Sequence, residues 1–358
     1  MSAAPPLPTA LTRLVGCRHP IVQTGMGWVA GPRLVAATAE AGGLGILGSA
    51  TMTLDALASA IAEVRARTTA PFGVNLRADA GDARERIGLL IRERVAVASF
   101  ALAPAPDLIG RLKDAGVVVI PSVGAVRHAE QVAAWGADAV LVQGGEGGGH
   151  TGPVASTVLL PQVVDAVDVP VIAAGGYVDG RGLVAALAYG AAGVAMGTRF
   201  LLTSDSTVPD GVKRRYLAAT QTVVTRQVDG VPHRVLRTDR VDALERARGA
   251  GRLLRAARNA AAFRRLSGAT WPGLIRDGAA LRRSGGLSWA QVLMAANTPV
   301  LLRAAMVEGR TDLGVMSAGQ AVAAIDDLPS CAELIDRVMA EAHEALSRLN
   351  TPFADPAA

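Results

Sequence analysis

The chain has 358 residues, of which 50% are hydrophobic, 40 are glycine and only 3% are aromatic, and its formal net charge is +5. This length and apolar content suit one large α/β barrel or two ordinary domains, and they exclude a fibrous or disordered chain. Because aromatic residues are scarce, the composition argues against the aromatic stacking platforms that bind nucleic acid.

The positive charge is concentrated in one segment. Residues 213 to 283 hold 17 basic and 5 acidic side chains, a net of +12, and nearly all the basic residues are arginine. Arginine binds phosphate through paired hydrogen bonds, so Arg252, Arg255 and Arg258 are candidates to hold a phosphorylated substrate or cofactor. A solvated helical face explains the charge equally well. Nucleic acid is the weakest alternative, since no nucleic-acid-binding motif accompanies the arginines.

Cysteine usage and hydropathy indicate a cytoplasmic protein. Cys17 and Cys331 have neither the spacing of metal ligands nor that of a disulfide framework, which favours a reducing compartment. The N-terminal residues lack the basic start and apolar stretch of a signal peptide. Glycine or charged residues break every long apolar run before it could span a membrane, so we expect no membrane partner.

From residue 21 to residue 202, short apolar strands alternate with amphipathic helical stretches, a pattern typical of βα units and a parallel sheet. Eight such strands indicate a closed TIM (β/α)8 barrel. The predicted strands cover residues 21–23, 44–47, 72–75, 95–98, 117–120, 139–142, 169–173 and 193–196.

Polar residues and glycines lie where these strands end. A barrel places its ligand site at the carboxyl ends of the strands, whereas a doubly wound sheet concentrates the site at one switch point. The unusual residues are spread over many strand ends, so the barrel fits better. They are Gln23, Asn75, Ser122, the run from Gln143 to His150, Gly175, Gly176, Gly197 and Thr198.

The chain divides into three predicted parts. Residues 1–209 form the main part of the barrel, residues 210–310 form an arginine-rich helical insertion that could cover the barrel mouth, and residues 311–358 supply a loop and a closing helix. In the last part, apolar residues repeat at helical spacing, so we expect this helix to pack on the outside of the barrel. These residues are Leu334, Ile335, Val338 and Met339.

The most informative stretch runs from Gly144 to Gly152 and places His150 after five glycines that follow a predicted buried strand. Glycine tolerates positive φ and lets backbone N–H groups approach a flat or anionic ligand, so a histidine here can be aimed at that ligand. Imidazole titrates near neutral pH, which makes His150 a candidate general acid or base. The alternative is a surface turn with an incidental histidine. Glu146 could serve only as a cap.

Two glycine motifs at consecutive strand ends predict a phosphate site. Gly175 and Gly176 follow the seventh predicted strand, and Gly197 and Thr198 follow the eighth. In barrels the loops after these two strands bind phosphate through backbone N–H groups, although each motif alone could serve turn geometry only. Asn75 offers an amide to the edge of a heterocycle, or it is an ordinary turn asparagine.

Other chemistries find no support in the sequence. The five histidines are scattered without ligand spacing, so no metal site is expected. No nucleophile elbow or cysteine–histidine motif for acyl transfer is present, and no Gly-x-Gly-x-x-Gly follows the first strand. A phosphorylated cofactor at the strand ends, with one acid–base histidine, is what remains. Residues 23–27 would place backbone and the soft Met26 side chain against its ring.

In order and spacing these motifs resemble the nitronate monooxygenase family, also called 2-nitropropane dioxygenase-like flavoproteins, and the related flavin-dependent enoyl reductases. The resemblance covers most of residues 20–202 and returns at residues 316–320. The elements that carry it are Gln23-x-x-Met26-Gly27, Ala41-Gly-Gly-Leu-Gly45, Asn75, Gly145-Glu-Gly-Gly-Gly-His150, Ala174-Gly-Gly176, Met196-Gly-Thr-Arg-Phe200 and Gly319-Gln320.

The resemblance implies a barrel that binds FMN, with His150 as the catalytic acid or base. It implies that Gly175, Gly176, Gly197 and Thr198 hold the phosphate. The isoalloxazine ring would lie near Met26, Asn75, Gln143 and Gln320. The remaining cofactor-binding positions would be Gln23, Gly25, Gly27, Gly148, Gly149, Met316 and Gly319.

Two departures bear on the substrate. Nitronate-oxidising members usually carry proline before Met26, where this chain has Gly25, and they favour alanine at Gly147. The runs 149–153 and 203–209 instead resemble a branch linked to bacterial steroid-ring degradation, whose substrates are CoA thioesters. We therefore expect FMN-dependent hydride transfer to or from an unsaturated CoA thioester, with NAD(P)H as a candidate co-substrate and the arginine-rich segment on the CoA phosphates.

Two alternatives stay open at this point. The close one is a nitronate monooxygenase that oxidises alkyl nitronates such as propionate 3-nitronate with O2. The less favoured one is a flavin-binding or nucleotide-binding regulatory module without enzyme activity. The pattern is also compatible with a homo-oligomer.

Overall fold

The computed structural model describes residues 5–246 and 297–350. A closed barrel of eight parallel strands forms its centre, as the alternating sequence pattern predicts. The barrel strands are β1 (Ile21–Gln23), β2 (Leu44–Gly48), β3 (Phe72–Leu76), β4 (Val97–Phe100), β5 (Val118–Val123), β6 (Val140–Gln143), β8 (Val171–Ala174) and β9 (Gly193–Met196). Each pairs with the next barrel strand, and β9 closes the ring by pairing with β1.

Helices connect the strands and surround the barrel. Those of the described residues are α1 (Ala10–Val15), α2 (Pro32–Glu40), α3 (Leu54–Arg67), α4 (Ala83–Arg92), α5 (Pro106–Asp114), α6 (Val126–Ala134), α7 (Ser156–Ala166), α8 (Gly180–Ala188), α9 (Thr198–Leu201), α10 (Asp210–Leu217), α11 (Asp239–Arg246), α12 (Asn297–Met306) and α13 (Cys331–Asn350). Short 3-10 turns cover Ser49–Thr51 and Gln320–Ala324.

Close packing of helices on strands depends on small residues at the contact. Every residue of β2 is buried, and a Cβ atom on Gly45 would lie 2.4 Å from the carbonyl oxygen of Val35 in α2. Real Cβ atoms do not approach a backbone oxygen so closely, so glycine at position 45 sets the distance between α2 and the barrel.

Four predicted strands begin one or two residues later than expected, at Val97, Val118, Val140 and Val171. The fourth strand starts at Val97 instead of residue 95, because the preceding residues complete the end of α4. The amide of Val95 donates to the carbonyl of Leu90 at 3.0 Å, and Arg94 has a left-handed φ of 45°. An apolar run therefore supplied two residues to a helix end, which periodicity alone does not distinguish from a strand.

The last helix packs on the outside of the barrel, as predicted. The four apolar residues predicted to face the barrel from α13 lie in one buried cluster with barrel residues such as Ile21 and Val194. At the contact with α8, a Cβ atom on Gly180 would lie 2.2 Å from the amide nitrogen of Ala342. Helix α13 contributes Leu334, Ile335, Val338 and Met339 to this cluster.

A second, antiparallel sheet lies beside the barrel. It contains β7 (Gly149–His150), β10 (Thr222–Thr225) and β11 (His233–Leu236), in the order β10-β11-β7. Residues 210–310 were predicted as helical, and their described part adds these two strands, β10 and β11, to helices α10, α11 and α12. The register pairs His233 with His150, so the sheet reaches the predicted catalytic residue.

Part of the predicted insertion lies outside the described residues. This applies to Arg252, Arg255 and Arg258, whose assignment to substrate phosphates stays a prediction. Among the residues that the structure describes, no helix has the length and apolar character needed to cross a membrane.

Candidate active site

The ends of β1, β3 and β9 meet at the carboxyl edge of the barrel. A Cβ atom on Gly25 would lie 2.3 Å from Cβ of Asn75, and one on Gly197 would lie 3.2 Å from Oγ1 of Thr24 and 3.5 Å from Sδ of Met26. Gly27 is nearby, with space for a Cβ atom limited by Thr51 at 3.2 Å. The fold thus brings together the cofactor residues predicted on three separate strands.

Two amide side chains support these strand ends. Gln23 is fully buried and its Nε2 donates to the carbonyl of Ile46 at 3.2 Å and to that of Thr24, while its Oε1 has no donor among the described residues. The Nδ2 of Asn75 donates to Oγ of Ser99 at 3.3 Å. Gln23 thus holds the backbone of the β1 loop, and Asn75 lies closer to the mouth.

The glycine-rich loop after β6 is folded so tightly that side chains are excluded. A Cβ atom on Gly147 would lie 2.5 Å from Nε2 of Gln143, and one on Gly148 would lie 2.6 Å from the amide nitrogen of Gly319. Gly149 has a left-handed φ of 77°. The Nε2 of Gln143 donates to the carbonyl of His150 at 2.7 Å, so the predicted ring-contacting amide also fixes the end of the loop.

Glu146 acts as a cap, the alternative that its position in the loop suggested. Its carboxylate accepts hydrogen bonds from the amide of Ser156 at 3.0 Å and from the Ser156 hydroxyl at 2.8 Å, at the start of α7. Its backbone carbonyl accepts from the amide of Gln320 at 2.9 Å. One glutamate therefore joins the loop, helix α7 and the C-terminal segment.

The two predicted phosphate loops also converge. Gly175 and Gly176 have left-handed φ values of 99° and 87°, a conformation that L side chains rarely adopt. The hydroxyl of Thr198 accepts a hydrogen bond from the amide of Gly319 at 3.0 Å, which leaves its own proton available for an anion. Met316 is buried, and its carbonyl accepts from the amide of Leu236 in β11 at 2.8 Å. This donor set and shape fit a phosphate group.

His150 forms a hydrogen-bonded pair with a carboxylate that the sequence analysis missed. Its Nε2 lies 2.6 Å from Oδ2 of Asp229, and its side chain is 60% exposed while that of Asp229 is 5% exposed. The hydroxyl of Thr298 donates to the same Oδ2 at 2.6 Å. Asp229 lies 79 residues from His150 and carries no motif, so only the pairing of β7 with β11 brings it there.

A second histidine completes the group. His233 is buried, its Nε2 lies 2.8 Å from Oγ of Ser317, and its Nδ1 lies 3.7 Å from Oδ2 of Asp229. The rings of His233 and His150 meet edge to face, with centroids 4.8 Å apart. Burial lowers the pKa of His233, so its imidazole is neutral around pH 7.

The surroundings keep Asp229 ionised. Burial alone would raise its pKa, but hydrogen bonds from His150 and Thr298 and the nearby His233 together hold the pKa of this carboxyl well below its usual range. Asp229 is therefore an anion around neutral pH. A buried carboxylate facing an exposed imidazole stabilises the imidazolium form when a proton is taken up.

Two histidines that are far apart in the sequence, His150 and His233, lie close together in the fold. Of the described residues, only His150, Asp229 and His233 place ligating atoms of histidine, cysteine, aspartate or glutamate close enough to share a metal ion, within 4.8 Å of one another. A direct hydrogen bond already joins two of them at 2.6 Å. The sequence analysis expected no metal site because the histidines are far apart along the chain, but the fold brings His150 and His233 together. The observed hydrogen bonds of this group suit acid–base chemistry.

An open cavity of about 760 Å³ lies beside the loop of His150, between that loop and the β10–β11 hairpin. Arg234 in its wall donates to the carbonyl of Gly145 at 2.8 Å and to the hydroxyl of Thr222 at 3.1 Å. Arg226 also lines the cavity and is exposed, and its guanidinium has no hydrogen bond or ion pair with the residues that the structure describes. Within that part of the chain, the cavity offers a guanidinium without a partner near the catalytic loop.

Comparison with known families now adds to this geometry. The nitronate monooxygenase family model matches residues 8–88 and 83–341, which is nearly the whole chain. The chain belongs to the nitronate monooxygenase family. Membership confirms the resemblance read from the loop motifs, identifies the chain as an oxidoreductase and supports a flavin as its cofactor.

Two similar proteins carry the same specific name, (3aS,4S,5R,7aS)-5-hydroxy-7a-methyl-1-oxo-octahydro-1H-indene-4-carboxyl-CoA dehydrogenase. One, from Rhodococcus jostii, is 64% identical over 345 residues, which cover 96% of this chain and 98% of that protein. The other, from Mycobacterium tuberculosis, is 66% identical over 341 residues, which cover 94% of this chain and 96% of that protein. Probable nitronate monooxygenases from Staphylococcus aureus are 32% identical over 268 residues, covering 62% of this chain and 76% of theirs.

Solved structures agree with the fold. FabK from Thermotoga maritima is 35% identical, with a TM-score of 0.78 over 96% of this chain and 98% of that one. Nitroalkane oxidase from Streptomyces ansochromogenes is 29% identical, with a TM-score of 0.74 over 96% of this chain and 100% of that one. Both support the barrel and the oxidoreductase assignment.

Proposed function

We propose that this protein is an FMN-dependent dehydrogenase that forms an unsaturated CoA thioester from a saturated one, by hydride transfer to the flavin. The observation that carries the proposal is the exposed imidazole of His150, hydrogen-bonded to the buried Asp229 at 2.6 Å, at the mouth of a barrel of this family. In the substrate named for the two similar dehydrogenases, the hydroxyl carbon is β to the thioester carbonyl, on a bicyclic ring system.

Dehydrogenation at the saturated α-carbon of this substrate gives the unsaturated CoA thioester that the sequence analysis expects. Formation of the carbon–carbon double bond removes one proton from the α-carbon, which the thioester carbonyl acidifies, and one hydride from the neighbouring carbon. The imidazole of His150 takes the α-proton, and Asp229 stabilises the resulting positive charge. Bound FMN supplies the hydride acceptor, and an oxidised nicotinamide nucleotide is the proposed final acceptor.

The loops have the right shape for the flavin nucleotide. Consecutive glycines with positive φ at Gly175 and Gly176 expose backbone N–H groups, and the Thr198 hydroxyl has a free proton. A Cβ atom on Gly25 would collide with the Asn75 side chain, and one on Gly148 would collide with the backbone of Ala318 and Gly319, so both positions of the mouth require glycine. In this proposal the phosphate lies on Gly175, Gly176, Gly197 and Thr198, and the ring lies near Met26, Asn75, Gln143 and Gln320.

The CoA arm needs positive charge near the catalytic loop. Arg226 places a guanidinium that has no partner among the described residues in the cavity beside residues 145–153, and guanidinium groups bind phosphate well. Arg252, Arg255 and Arg258, outside the described residues, stay proposed contacts for the same phosphates. We expect Arg226→Ala to raise KM for a CoA thioester with little change in kcat, and to leave reduction of the flavin by a small nitronate unchanged.

The proposal is tested first by the colour of the purified protein and then by anaerobic reduction. The flavin band should bleach when a β-hydroxyacyl CoA thioester is added, and the α,β-unsaturated thioester should form in equal amount. In His150→Ala the flavin should remain bound while its reduction slows about a hundredfold or more. His343→Ala, which changes a histidine of α13 whose Nε2 lies 2.8 Å from the carbonyl oxygen of Pro5, serves as the matched control.

Three results would contradict the proposal. They are a protein that is colourless and does not take up FMN, a flavin that no hydroxyacyl thioester reduces, and full activity in His150→Ala. The family match favours one second candidate, a nitronate monooxygenase. Bleaching by propionate 3-nitronate with consumption of O2, and none by the thioester, would select that candidate instead.

A further inference from the structure

Both carboxylate oxygens of Asp229 are engaged, each in a different task. Oδ1 accepts a hydrogen bond from the amide of Val231 at 3.3 Å, which holds the side chain against its own turn. Oδ2 accepts from the Thr298 hydroxyl at 2.6 Å and meets His150 Nε2 at 2.6 Å. Gly230, with a φ of 92°, shapes the turn that makes this possible. The carboxylate therefore has one orientation, and that orientation points at His150.

The backbone holds the two partners in register. β7 pairs with β11 so that His150 lies opposite His233, four residues after Asp229. From the other side, Nε2 of Gln143 donates a hydrogen bond to the carbonyl of His150 at 2.7 Å. The imidazole is thus fixed by a strand pairing, a side-chain hydrogen bond to its own backbone and a carboxylate on one ring nitrogen.

Resting on the proposed function, we propose that Asp229 is the positioning residue of the reaction. By holding Nε2 of His150, it leaves Nδ1 as the ring nitrogen that takes the α-proton from the substrate. Thr298, in the first turn of α12, completes this assignment because its hydroxyl proton occupies the remaining space on Oδ2. The neutral imidazole then carries its proton on Nε2, toward the carboxylate.

The charges around the pair are few and can be named. His233 from β11 faces Asp229 and His150, and burial lowers the pKa of His233, so it stays neutral. Arg77, in the loop after β3, interacts electrostatically with Asp229, but its guanidinium is paired with Asp79 at 2.6 Å. Among the residues that the structure describes, the anion of Asp229 is thus the charge in direct contact with the His150 imidazole.

The test uses the holoenzyme with Asp229→Asn and Asp229→Glu. Asparagine keeps the shape but removes the charge and can present an N–H group to the imidazole, so the rate of flavin reduction should fall about tenfold to a hundredfold with flavin content unchanged. The acidic limb of the pH–rate profile should move to lower pH, since the imidazolium loses its counter-charge. Glutamate should restore part of the rate.

A spectroscopic readout tests the assignment of the ring nitrogens without turnover. With five histidines in the chain, 15N-labelled histidine spectra can be assigned to His150 by comparison with His150→Ala. The wild type should show the proton of the neutral ring on Nε2, and Asp229→Asn should lose this preference. Because the spectrum needs no substrate, it holds even if the substrate class of the proposed function is wrong.

Thr298 supplies variants that spare the carboxylate. Thr298→Val removes the hydroxyl without changing the shape and should slow flavin reduction several-fold, whereas Thr298→Ser should behave as the wild type. An unchanged pH profile and unchanged ring-nitrogen signals in both Asp229→Asn and Thr298→Val would overturn the positioning role. If His150→Ala were then still inactive, the proposed function itself would stand.

Discussion

The barrel and the small sheet of β7, β10 and β11 are built on different principles. Each barrel strand pairs with the next one along the chain, apart from the closing pair, so neighbours in space are neighbours in sequence. The small sheet joins residues 149–150 to residues 222–236, and its polar contacts reach Thr298 and Ser317. The cofactor loops thus come from a local pattern, whereas the acid–base group comes from distant segments.

The barrel and the small sheet are stabilised by different interactions. The barrel is held by apolar packing so close that single glycines set helix–strand distances, as at Gly45 and Gly180. The small sheet is held around His150 by hydrogen bonds to one buried carboxylate. Changes in the barrel should therefore lower the free energy of unfolding, while changes in the polar group should lower the rate of reaction and leave the fold in place.

The largest effect on stability is expected from Gly180→Ala in the barrel region. The added Cβ atom would lie 2.2 Å from the amide nitrogen of Ala342 and 2.4 Å from the carbonyl oxygen of Val338, and neither backbone group can rotate away. Forcing α8 and α13 apart should lower the free energy of unfolding by about 1–3 kcal/mol. Urea unfolding followed by circular dichroism measures this.

Gly110→Ala is the matched control for that change. Gly110 lies inside α5, and a Cβ atom there would meet nothing within 4 Å. Because glycine is unfavourable within helices, this substitution should stabilise the protein by roughly 0.5–1 kcal/mol. Equal unfolding midpoints for the two variants would show that the α8–α13 contact is not as close as the structure has it.

The same contrast explains what sequence reasoning could reach. Eight apolar runs, the glycine loops and His150 are visible because each follows a strand within a few residues. Asp229, His233 and Thr298 have no such signal, since a carboxylate becomes a partner of His150 only after β11 pairs with β7. The strands of residues 222–236 escaped notice because they are short and occur in a charged segment. Their pairing depends on tertiary contact.

The second-largest effect concerns how the stability of the barrel region depends on pH. His19 in the barrel region is buried, and desolvation together with the charge of Arg18 lowers its pKa to about 4. In the unfolded chain histidine takes up a proton below about pH 6.5, whereas folded His19 does not until about pH 4. Its neutral form therefore favours folding fully above pH 6.5, and this contribution is lost as the pH falls from 6.5 to 4.

His19→Gln should flatten that dependence. Glutamine can still accept the hydrogen bond that Nε of Arg18 donates to His19 Nε2 at 2.9 Å, but it does not titrate. The free energy of unfolding, measured between pH 7 and pH 4, should fall less steeply in this variant, by on the order of 2 kcal/mol over the range. Identical slopes in His19→Gln and wild type would contradict the assignment of a neutral, buried His19.

A smaller effect is expected where the two regions join. Trp28, in the loop after β1, has a left-handed φ of 64°, and its indole N–H donates to the carbonyl of Pro299 in α12 at 3.0 Å. Trp28→Phe removes this hydrogen bond but keeps an aromatic ring beneath Arg303. We expect a loss of about 1 kcal/mol in the free energy of unfolding. Trp28→Ala should cost more, since it also removes the ring.

The smallest effect tests whether the polar group acts as one unit. Ser317→Ala removes the hydroxyl that lies 2.8 Å from Nε2 of His233, and His233 in turn packs edge to face against His150. If the full free energy of the lost hydrogen bond, about 1 kcal/mol, were added to the activation free energy, flavin reduction would slow roughly fivefold. Because the hydroxyl holds His233 and not the barrel, the unfolding midpoint should barely change. A fall in stability without a fall in rate would place His233 with the scaffold, and the acid–base group would then consist of His150, Asp229 and Thr298 alone.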